Sequence, residues 1–399
     1  MDTYWLEWFN LLGRWLHLIA GIAWIGASFY FVWLDNNLLE PADPPDKDKG
    51  IRGEVWSVHG GGFYHAQKYL VAPEKLPEPL HWFMWEAYTT WLSGFFLLCI
   101  VYYAGAQTYL IDPSVAALTP LQAIAIGIGT LVAGWLIYDG LCRSPLGRND
   151  RNLGIAVLLL SVVSAWGLTH VFSGRGAFIH YGAMLGTLMA GNVFFVIIPG
   201  QRELIKAKLA GREPDPTPGL KAKQRSVHNT YFTLPVIFTM MSNHYAMLFN
   251  HAYNWAILVA LSIAGAAIRV YFVSRHKGKG STTALLLGAG SLVVVAISIA
   301  PVARPLQAAT ENPADQFARV MQVMQSRCTG CHAAQPTQPG FVSAPKGIML
   351  DTPGRVAIQA DLIYQQVSSH AMPLGNLTQM TEQERQVIIA WHDAGGRSQ

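Results

Sequence analysis

Eight apolar runs, each about long enough to cross a lipid bilayer, limit the folds that are open to this chain. A helix needs about 20 apolar residues to span the hydrocarbon core. Only 13% of the residues are charged, against about 25% in soluble proteins, so lipid is the expected solvent. The runs cover residues 11–34, 85–104, 121–140, 153–172, 178–198, 231–249, 253–273 and 284–303. The sequence therefore predicts an all-α fold with a polytopic membrane bundle of about eight helices over residues 1–305.

The basic residues predict how this bundle is oriented. The first, third, fifth and seventh loops hold 5, 3, 7 and 3 Lys or Arg, whereas the alternate loops and the N-terminus hold one, Arg175. Basic loops are retained in the cytoplasm, so both termini are expected outside. The first residues lack the basic segment of a signal peptide, so the first helix is expected to be retained. We expect a bacterial inner-membrane protein with a periplasmic C-terminal domain.

The net charge argues against one class of partner. It is only +4, and the basic residues lie in short loops and form no continuous stripe. A nucleic-acid interface needs a concentrated basic surface. Nucleic acid is therefore not an expected partner.

The composition changes after the last apolar run, and residues 306–399 are predicted to form a small class I cytochrome c-like domain. A helix over residues 313–327 leads into Cys328, Thr329, Gly330, Cys331 and His332. This Cys-x-x-Cys-His pattern attaches c-type haem, with both thiols bonded to the porphyrin and the histidine bound to the iron. A redox dithiol or half a zinc site would also contain Cys-x-x-Cys.

A second axial ligand has to come from a distant loop on the other face of the haem. Met372, followed by Pro373, is the preferred residue, and thioether ligation would raise the potential of the iron. His370, His392 and Met380 are the alternatives. A final helix is expected over residues 381–394, starting with a Thr-x-x-Glu capping box. A haem with two protein ligands would carry electrons and leave the chemistry to the membrane domain.

Histidines near the outer face of the membrane domain are the first candidates for that chemistry, because ionisable groups within a membrane are costly. Two of His17, His180 and His244 could ligate a second, b-type haem. They could equally hydrogen-bond between helices, or line a substrate cavity.

A second group of polar residues lies toward the cytoplasmic side, and the first loop of that side is long enough for a lid. This group could form a pocket for a planar anion, or an aromatic interface belt. Arg14 and Arg269, near span ends, are expected to snorkel or to pair with helix carbonyls. The group consists of His59, His65, His81, His228, His276, Tyr64, Lys68, Trp82, Trp85 and Glu86.

Four segments carry a resemblance to a known family. They are residues 15–26 (WLHLIAGIAWIG), 59–69 (HGGGFYHAQKY), 239–244 (TMMSNH) and 328–332 (CTGCH). With eight spans followed by one cytochrome, the chain resembles the membrane-bound, cytochrome c-linked urate oxidases. The resemblance covers nearly the whole length.

This resemblance implies that urate is oxidised to 5-hydroxyisourate in purine breakdown. Electrons would pass through haem c to a soluble cytochrome c or a terminal oxidase, and no hydrogen peroxide would form. A base is needed near the ring, and His17, His180, His244, His65 and His59 are the candidate catalytic residues. The alternative is an electron-carrier subunit whose helices only anchor the cytochrome beside a partner enzyme.

Overall fold

Long helices make up most of the chain up to residue 300. The computed structural model describes residues 3–42, 50–69, 71–276, 280–300, 312–339, 341 and 343–396. The helices of this first part are α1 (Thr3–Asn37), α2 (Trp85–Leu97), α3 (Ala106–Tyr109), α4 (Pro120–Arg143), α5 (Asp150–Thr169), α6 (Gly174–Asn192), α7 (Ile198–Leu209), α8 (Pro216–Ser242), α9 (Ala246–Phe249), α10 (Asn254–His276) and α11 (Thr282–Ser298).

Two helices contain wider, π-helical turns. One covers Leu98–Tyr103 and extends α2, and the other covers Val193–Ile197 and joins α6 to α7. A short 3₁₀ turn, Pro145–Arg148, links α4 to α5.

Five helical segments are long and apolar enough to cross a membrane, by length and composition. They are Trp5–Asn37, Pro120–Arg143, Asp150–Thr169, Gly174–Leu209 and Asn254–Arg275, and they match five of the eight expected runs. The apolar helix α11 is shorter, α2 passes into its π turn after 13 residues, and α8 carries basic residues in its first half. The count of eight spans stays a prediction.

The prediction of an all-α fold is wrong in the first long loop. Residues Ile51–His59 (β1) and Gly62–Tyr69 (β2) form an antiparallel hairpin. Its turn contains Gly60 and Gly61, both with positive φ, a conformation that glycine adopts without steric cost. Trp56, Val58 and Phe63 lie on one face and are exposed. Their aromatic and β-branched side chains favour strand geometry.

Helix α6 lies at the centre of the bundle. Most of its residues are buried, and it packs against α4, α5 and α8. The contact with α8 is close, because a Cβ at Gly182 would overlap the hydroxyl of Thr239. The helix starts at a defined residue, since the side chain of Ser173 accepts a hydrogen bond from the amide of Gly176.

A buried polar network joins α4, α6 and α8 near the end of α6. Asn192 is fully buried and donates to Tyr138 Oη at 3.0 Å and to Asn229 Oδ1 at 2.8 Å. Arg225 donates to Asn192 Oδ1 at 3.1 Å and to Asp139 Oδ1 at 2.7 Å. The network satisfies polar groups that would be costly to bury alone.

The C-terminal unit is a small helical fold of its own. Its helices are α12 (Pro313–Arg327), α13 (Pro353–Ile358), α14 (Ala360–Ser368) and α15 (Glu382–Asp393), with 3₁₀ turns at Pro345–Gly347 and Leu374–Asn376. The helix predicted over residues 313–327 is confirmed, and so is the capping box of Thr381 and Glu384. Its core contains Val320, Met324, Ile388 and Trp391. The expected domain boundary at residue 305 lies outside the described residues.

Two glycines on α6 provide a matched test of the packing at its centre. We expect Gly182→Ala to lower the free energy of unfolding by about 1–3 kcal/mol, because the methyl group has to displace Thr239. A Cβ at Gly186 meets nothing within 4 Å, so Gly186→Ala should be neutral or stabilising by up to about 1 kcal/mol. Thermal unfolding of the two variants in detergent measures the difference. Equal stability of the two variants would contradict this packing.

Candidate functional site

The π-helical turn after α2 brings two consecutive tyrosines into the protein interior. Tyr102 and Tyr103 are both buried. In a regular α-helix adjacent side chains point about 100° apart, so a wider turn helps both to face inward. Turns of this kind are frequent at functional sites. The two rings lie near the first turns of α6.

His180 on α6 is fully buried and contacts both tyrosines. Its Nδ1 lies 2.9 Å from the carbonyl oxygen of Gly176, which can only accept, so Nδ1 carries the proton. Nε2 is therefore an acceptor and lies 3.3 Å from the Tyr103 hydroxyl. Phe172 covers the ring at a centroid distance of 4.8 Å. His180 and Tyr103 thus form a donor–acceptor pair that can move a proton.

Arg175 lies five residues before His180 on α6 and extends this group. Its Nε donates to Asn243 Oδ1 at 3.2 Å and to the Tyr102 hydroxyl at 3.3 Å. The Tyr102 hydroxyl in turn donates to Asn243 Oδ1 at 3.0 Å. The guanidinium also lies 5.1 Å from the ring centre of Tyr109. We call Tyr102, Tyr103, Arg175, His180 and Asn243 the His180 cluster.

The His180 cluster contains hydrogen-bond donors that no described residue satisfies. Within the described part of the chain, the two terminal nitrogens of Arg175 and the amide nitrogen of Asn243 have no hydrogen-bond partner. A guanidinium presents such nitrogens in a planar fork that matches the edge of a flat anion. The cluster can therefore hold an anionic ring beside a proton acceptor.

The C-terminal unit touches the bundle next to this cluster. The turn Leu374–Asn376 contacts α3, and a Cβ at Gly375 would lie 2.9 Å from the carbonyl oxygen of Thr108. Gly375 has a φ of +56°, so a side chain there would also be strained. The following residues, Tyr109 and Leu110, accept hydrogen bonds from Ser173, the cap of α6. One short segment therefore joins the His180 cluster to the C-terminal unit.

The other predicted histidines lie apart from His180. His17 Nδ1 is 2.9 Å from the carbonyl oxygen of Thr90, on α2, and His244 is exposed beyond the end of α8. Among the described side chains, no hydrogen bond or ring contact joins His17, His180 and His244 to one another. Two axial ligands of one haem bind the iron from opposite faces, so they need no contact with each other. A b-type haem stays a prediction.

The hairpin histidines belong to an exposed surface. His65 stacks on Trp56 at 4.2 Å and its Nε2 lies 2.8 Å from Glu54 Oε2, while His59 is exposed at the end of β1. Lys68 pairs with Asp35 at 2.6 Å. These contacts place His65 and Lys68 in local pairs at the surface of the described hairpin.

The remaining members of the cytoplasmic group are dispersed. His228 Nδ1 lies 2.7 Å from the hydroxyl of Tyr138, in the polar network of α4, α6 and α8. Trp85 is exposed, whereas Trp82 packs near the buried Ala87. The side chain of His276 lies outside the described residues.

Sequence reasoning missed four members of the His180 cluster. Tyr102 and Tyr103 lie in an apolar run and give no signal of their own. Arg175 gave one, because it is the single basic residue in loops that otherwise lack Lys and Arg. Asn243 lies beside His244 in the segment that carries the family resemblance.

The Cys-x-x-Cys-His residues of the C-terminal unit fit a haem. Cys328 follows α12 and packs against the core, and both thiols are free. His332 Nδ1 lies 2.9 Å from the carbonyl oxygen of Ile348, which fixes the ring and leaves Nε2 for an iron. Burial, with the neighbouring Cys331, raises the pKa of the Cys328 thiol to about 12. A redox dithiol needs a lowered thiol pKa, so this environment disfavours that alternative.

Hydrogen bonds with Arg385 and with Gln366 hold the loop that carries Met372 in place. The buried Arg385 donates to the carbonyl oxygens of Val367 and Met372, at 3.0 and 2.7 Å, and the Met372 amide donates to Gln366 at 3.0 Å. Met372 itself is half-buried. Among the alternatives, Met380 is a core residue and His392 stacks on Tyr364 and pairs with Asp361.

A zinc site is not apparent in the described part of the chain. No group of three or more His, Cys, Asp or Glu there is placed to hold a metal ion. A haem held by Cys328, Cys331 and His332 needs no such group, and Met372 as the second axial ligand stays a prediction.

The fold is a helical bundle with the His180 cluster near one end, and five of its helical segments are long and apolar enough to fit a membrane protein. A family model described as Urate oxidase N-terminal matches residues 3–300, so the chain belongs to this family. Membership points to an oxidoreductase with a urate-related oxidation role. Comparisons with curated proteins and with solved structures gave no match.

A pair of methionines tests the haem ligands. We expect Met372→Ala to keep the haem attached through Cys328 and Cys331 but to lower its reduction potential and change its spectrum, because a thioether ligand raises the potential. Met380→Leu removes a core thioether of similar volume and should leave both unchanged. Redox titration with optical detection measures the two variants. An unaltered potential in Met372→Ala would exclude it as a ligand.

Proposed function

We propose that the helical bundle oxidises urate to 5-hydroxyisourate and that the electrons pass to haem c on the C-terminal unit. The observation that carries the proposal is the family match over residues 3–300, joined in one chain to Cys328, Cys331 and His332. The five apolar helices support a membrane location, which we take to be a bacterial inner membrane with the C-terminal unit in the periplasm.

The reaction sets the requirements of the site. Urate and one water molecule give 5-hydroxyisourate, two protons and two electrons, so the new hydroxyl oxygen comes from water. The ring has to be held flat, a base has to take a proton, and both electrons need an outlet. Because dioxygen is not the oxidant, hydrogen peroxide is not formed.

The His180 cluster supplies groups of the right kind. The free nitrogens of Arg175 and Asn243 would hold the anionic edge of urate, and Tyr102 and Tyr109 offer aromatic faces beside them. Tyr103 and His180 would accept a proton, because Nε2 of His180 has no hydrogen of its own. Of the five candidate histidines, we therefore propose His180 as the base, and we propose that it acts together with Tyr103.

In this proposal the electrons leave through the C-terminal unit, which contacts the bundle next to this cluster. When bound, haem c accepts one electron at a time, so two transfers complete each turnover. Gly375, three residues after Met372, lies against Thr108, the residue before Tyr109. Electron transfer between the two units requires a short path through the protein. Beyond haem c, a soluble cytochrome c or a terminal oxidase would accept the electrons.

Anaerobic addition of urate to the purified protein tests the proposed function. We expect the haem c absorption to change from the oxidised to the reduced form, because urate delivers its electrons to this centre. Ascorbate serves as the positive control for a reducible haem, and a peroxide assay in air should stay at background. A haem that ascorbate reduces and urate does not would favour the electron-carrier subunit.

Two tyrosines give a matched test of proton transfer. Tyr103→Phe removes the hydroxyl that faces His180, and we expect urate-driven reduction to slow by about 10²-fold or more, the usual contribution of a positioned acid–base group. Tyr181→Phe removes a buried hydroxyl that bonds to Ser161 on the same helix bundle and should change the rate little. Stopped-flow absorption measures both rates, and reduction by ascorbate should be normal. Equal rates would place the base elsewhere.

A further inference from the structure

Ser173 connects the start of α6 to residues 108–111, at the end of α3. Its hydroxyl donates to the carbonyl oxygen of Tyr109 at 2.9 Å and accepts a hydrogen bond from the Gly176 amide at 3.1 Å. Its own amide donates to the carbonyl oxygen of Leu110 at 2.9 Å. Capping α6 needs only the bond to Gly176. The other two bonds fix where α6 starts relative to the end of α3.

Two groups of the His180 cluster depend on where α6 starts. Arg175 lies two residues after Ser173, and its guanidinium carbon is 5.1 Å from the ring centre of Tyr109. The carbonyl oxygen of Gly176 lies 2.9 Å from His180 Nδ1 and determines which nitrogen of the ring carries the proton. A displaced first turn would therefore move the cation and also rotate the ring of the proposed base.

The C-terminal unit packs on the same residues at the end of α3. A Cβ at Gly375 would lie 2.9 Å from the carbonyl oxygen of Thr108 and 3.5 Å from that of Ile111. Between these two residues lie both carbonyl groups that accept hydrogen bonds from Ser173. The turn Leu374–Asn376 therefore contacts the stretch of backbone that holds the start of α6.

We propose that Ser173 is a positioning residue of the urate site and that the turn Leu374–Asn376 supports it. The contacts run from Gly375 to Ser173 through residues 108–111, and they reach Arg175 and His180 through the first turn of α6. The C-terminal unit would then be needed for urate binding as well as for electron transfer. This inference rests on the proposed function, because it takes urate as the ligand of the His180 cluster.

Equilibrium dialysis of the full-length protein in detergent with labelled urate tests the role of Ser173. Ser173→Ala loses both bonds of the hydroxyl, and we expect the dissociation constant to rise at least about fivefold, the lower range of coupling between linked sites. Ser281→Ala is the control, because Ser281 caps α11 in the same way through the amide of Ala284. Both variants lose a cap, so a purely structural role would leave urate binding alike in the two.

A second pair of variants tests the contribution of the C-terminal unit. Gly375→Ala places a methyl group against Thr108, and we expect urate to bind at least about fivefold more weakly, although the changed residue lies outside the bundle. Gly347→Ala is the control, since Gly347 also has a positive φ in a turn of the same unit, and its Cβ would meet nothing within 4 Å. A turn that only passes electrons would leave urate binding equal in the two variants.

The double variant Ser173→Ala, Gly375→Ala tests whether both residues act through the same contacts. We expect it to bind urate no more than about twofold less tightly than the weaker of the two single variants, because contacts in series cannot be lost twice. If the effects of the single variants multiply in the double variant, the two residues act independently and the inference is overturned.

Unchanged urate binding in Ser173→Ala or in Gly375→Ala would overturn the inference, and so would equal losses in the two controls. Absence of urate binding to the unaltered protein would overturn it as well, whatever the haem test gives. If urate binding depends on both residues but urate never reduces haem c, the positioning role stands and the proposed function fails. If urate reduces haem c and binds equally well in all four single variants, the function stands and the positioning role does not.

Discussion

Polar side chains enclosed by apolar helices have to find partners within the protein, since their surroundings offer none. Most of them do so here. Asn192, Arg225 and Asp139 satisfy one another across three helices, and Ser173 caps α6 while it holds the segment after α3. The exceptions among the described residues are few. The free donors of Arg175 lie beside a proton acceptor, and those of Arg269 lie deep in the bundle.

The apolar pattern predicted where the helices lie better than where they end. Residues 121–140 became α4, whose start is fixed by the capping box of Thr119 and Gln122, and residues 253–273 became most of α10. The run at 231–249 is different, because α8 begins at Pro216 in a basic segment and ends at Ser242. Hydropathy indicates whether a segment lies in an apolar environment or in water, whereas helix ends depend on caps and on local hydrogen bonds. For the same reason the apolar pattern does not predict the hairpin in the first loop.

The haem motif and the His180 cluster differ in how far apart their residues lie in the sequence. Cys328, Cys331 and His332 are neighbours in the chain, so spacing alone identifies the haem motif. His180 could be suspected from its residue type, but its partners come from residues 102–103, 175 and 243, and only the fold brings them together. The position of Arg269 near the end of an apolar run predicts contact with water, yet the side chain is only 6% exposed. Its guanidinium packs on Phe29, which lies 240 residues earlier.

The directions in which Tyr102 and Tyr103 point depend on how many residues the π-helical turn Leu98–Tyr103 contains, and not only on which residues they are. An inserted residue in a helix rotates everything beyond it by about 100° and advances it by about 1.5 Å. Removing one residue from this turn would restore an ordinary helical register and swing one tyrosine ring away from His180. If the removed residue lies before Tyr102, every side chain of the His180 cluster would still be present, yet the ring faces could no longer converge. Such a deletion would inactivate the cluster without altering a single functional group.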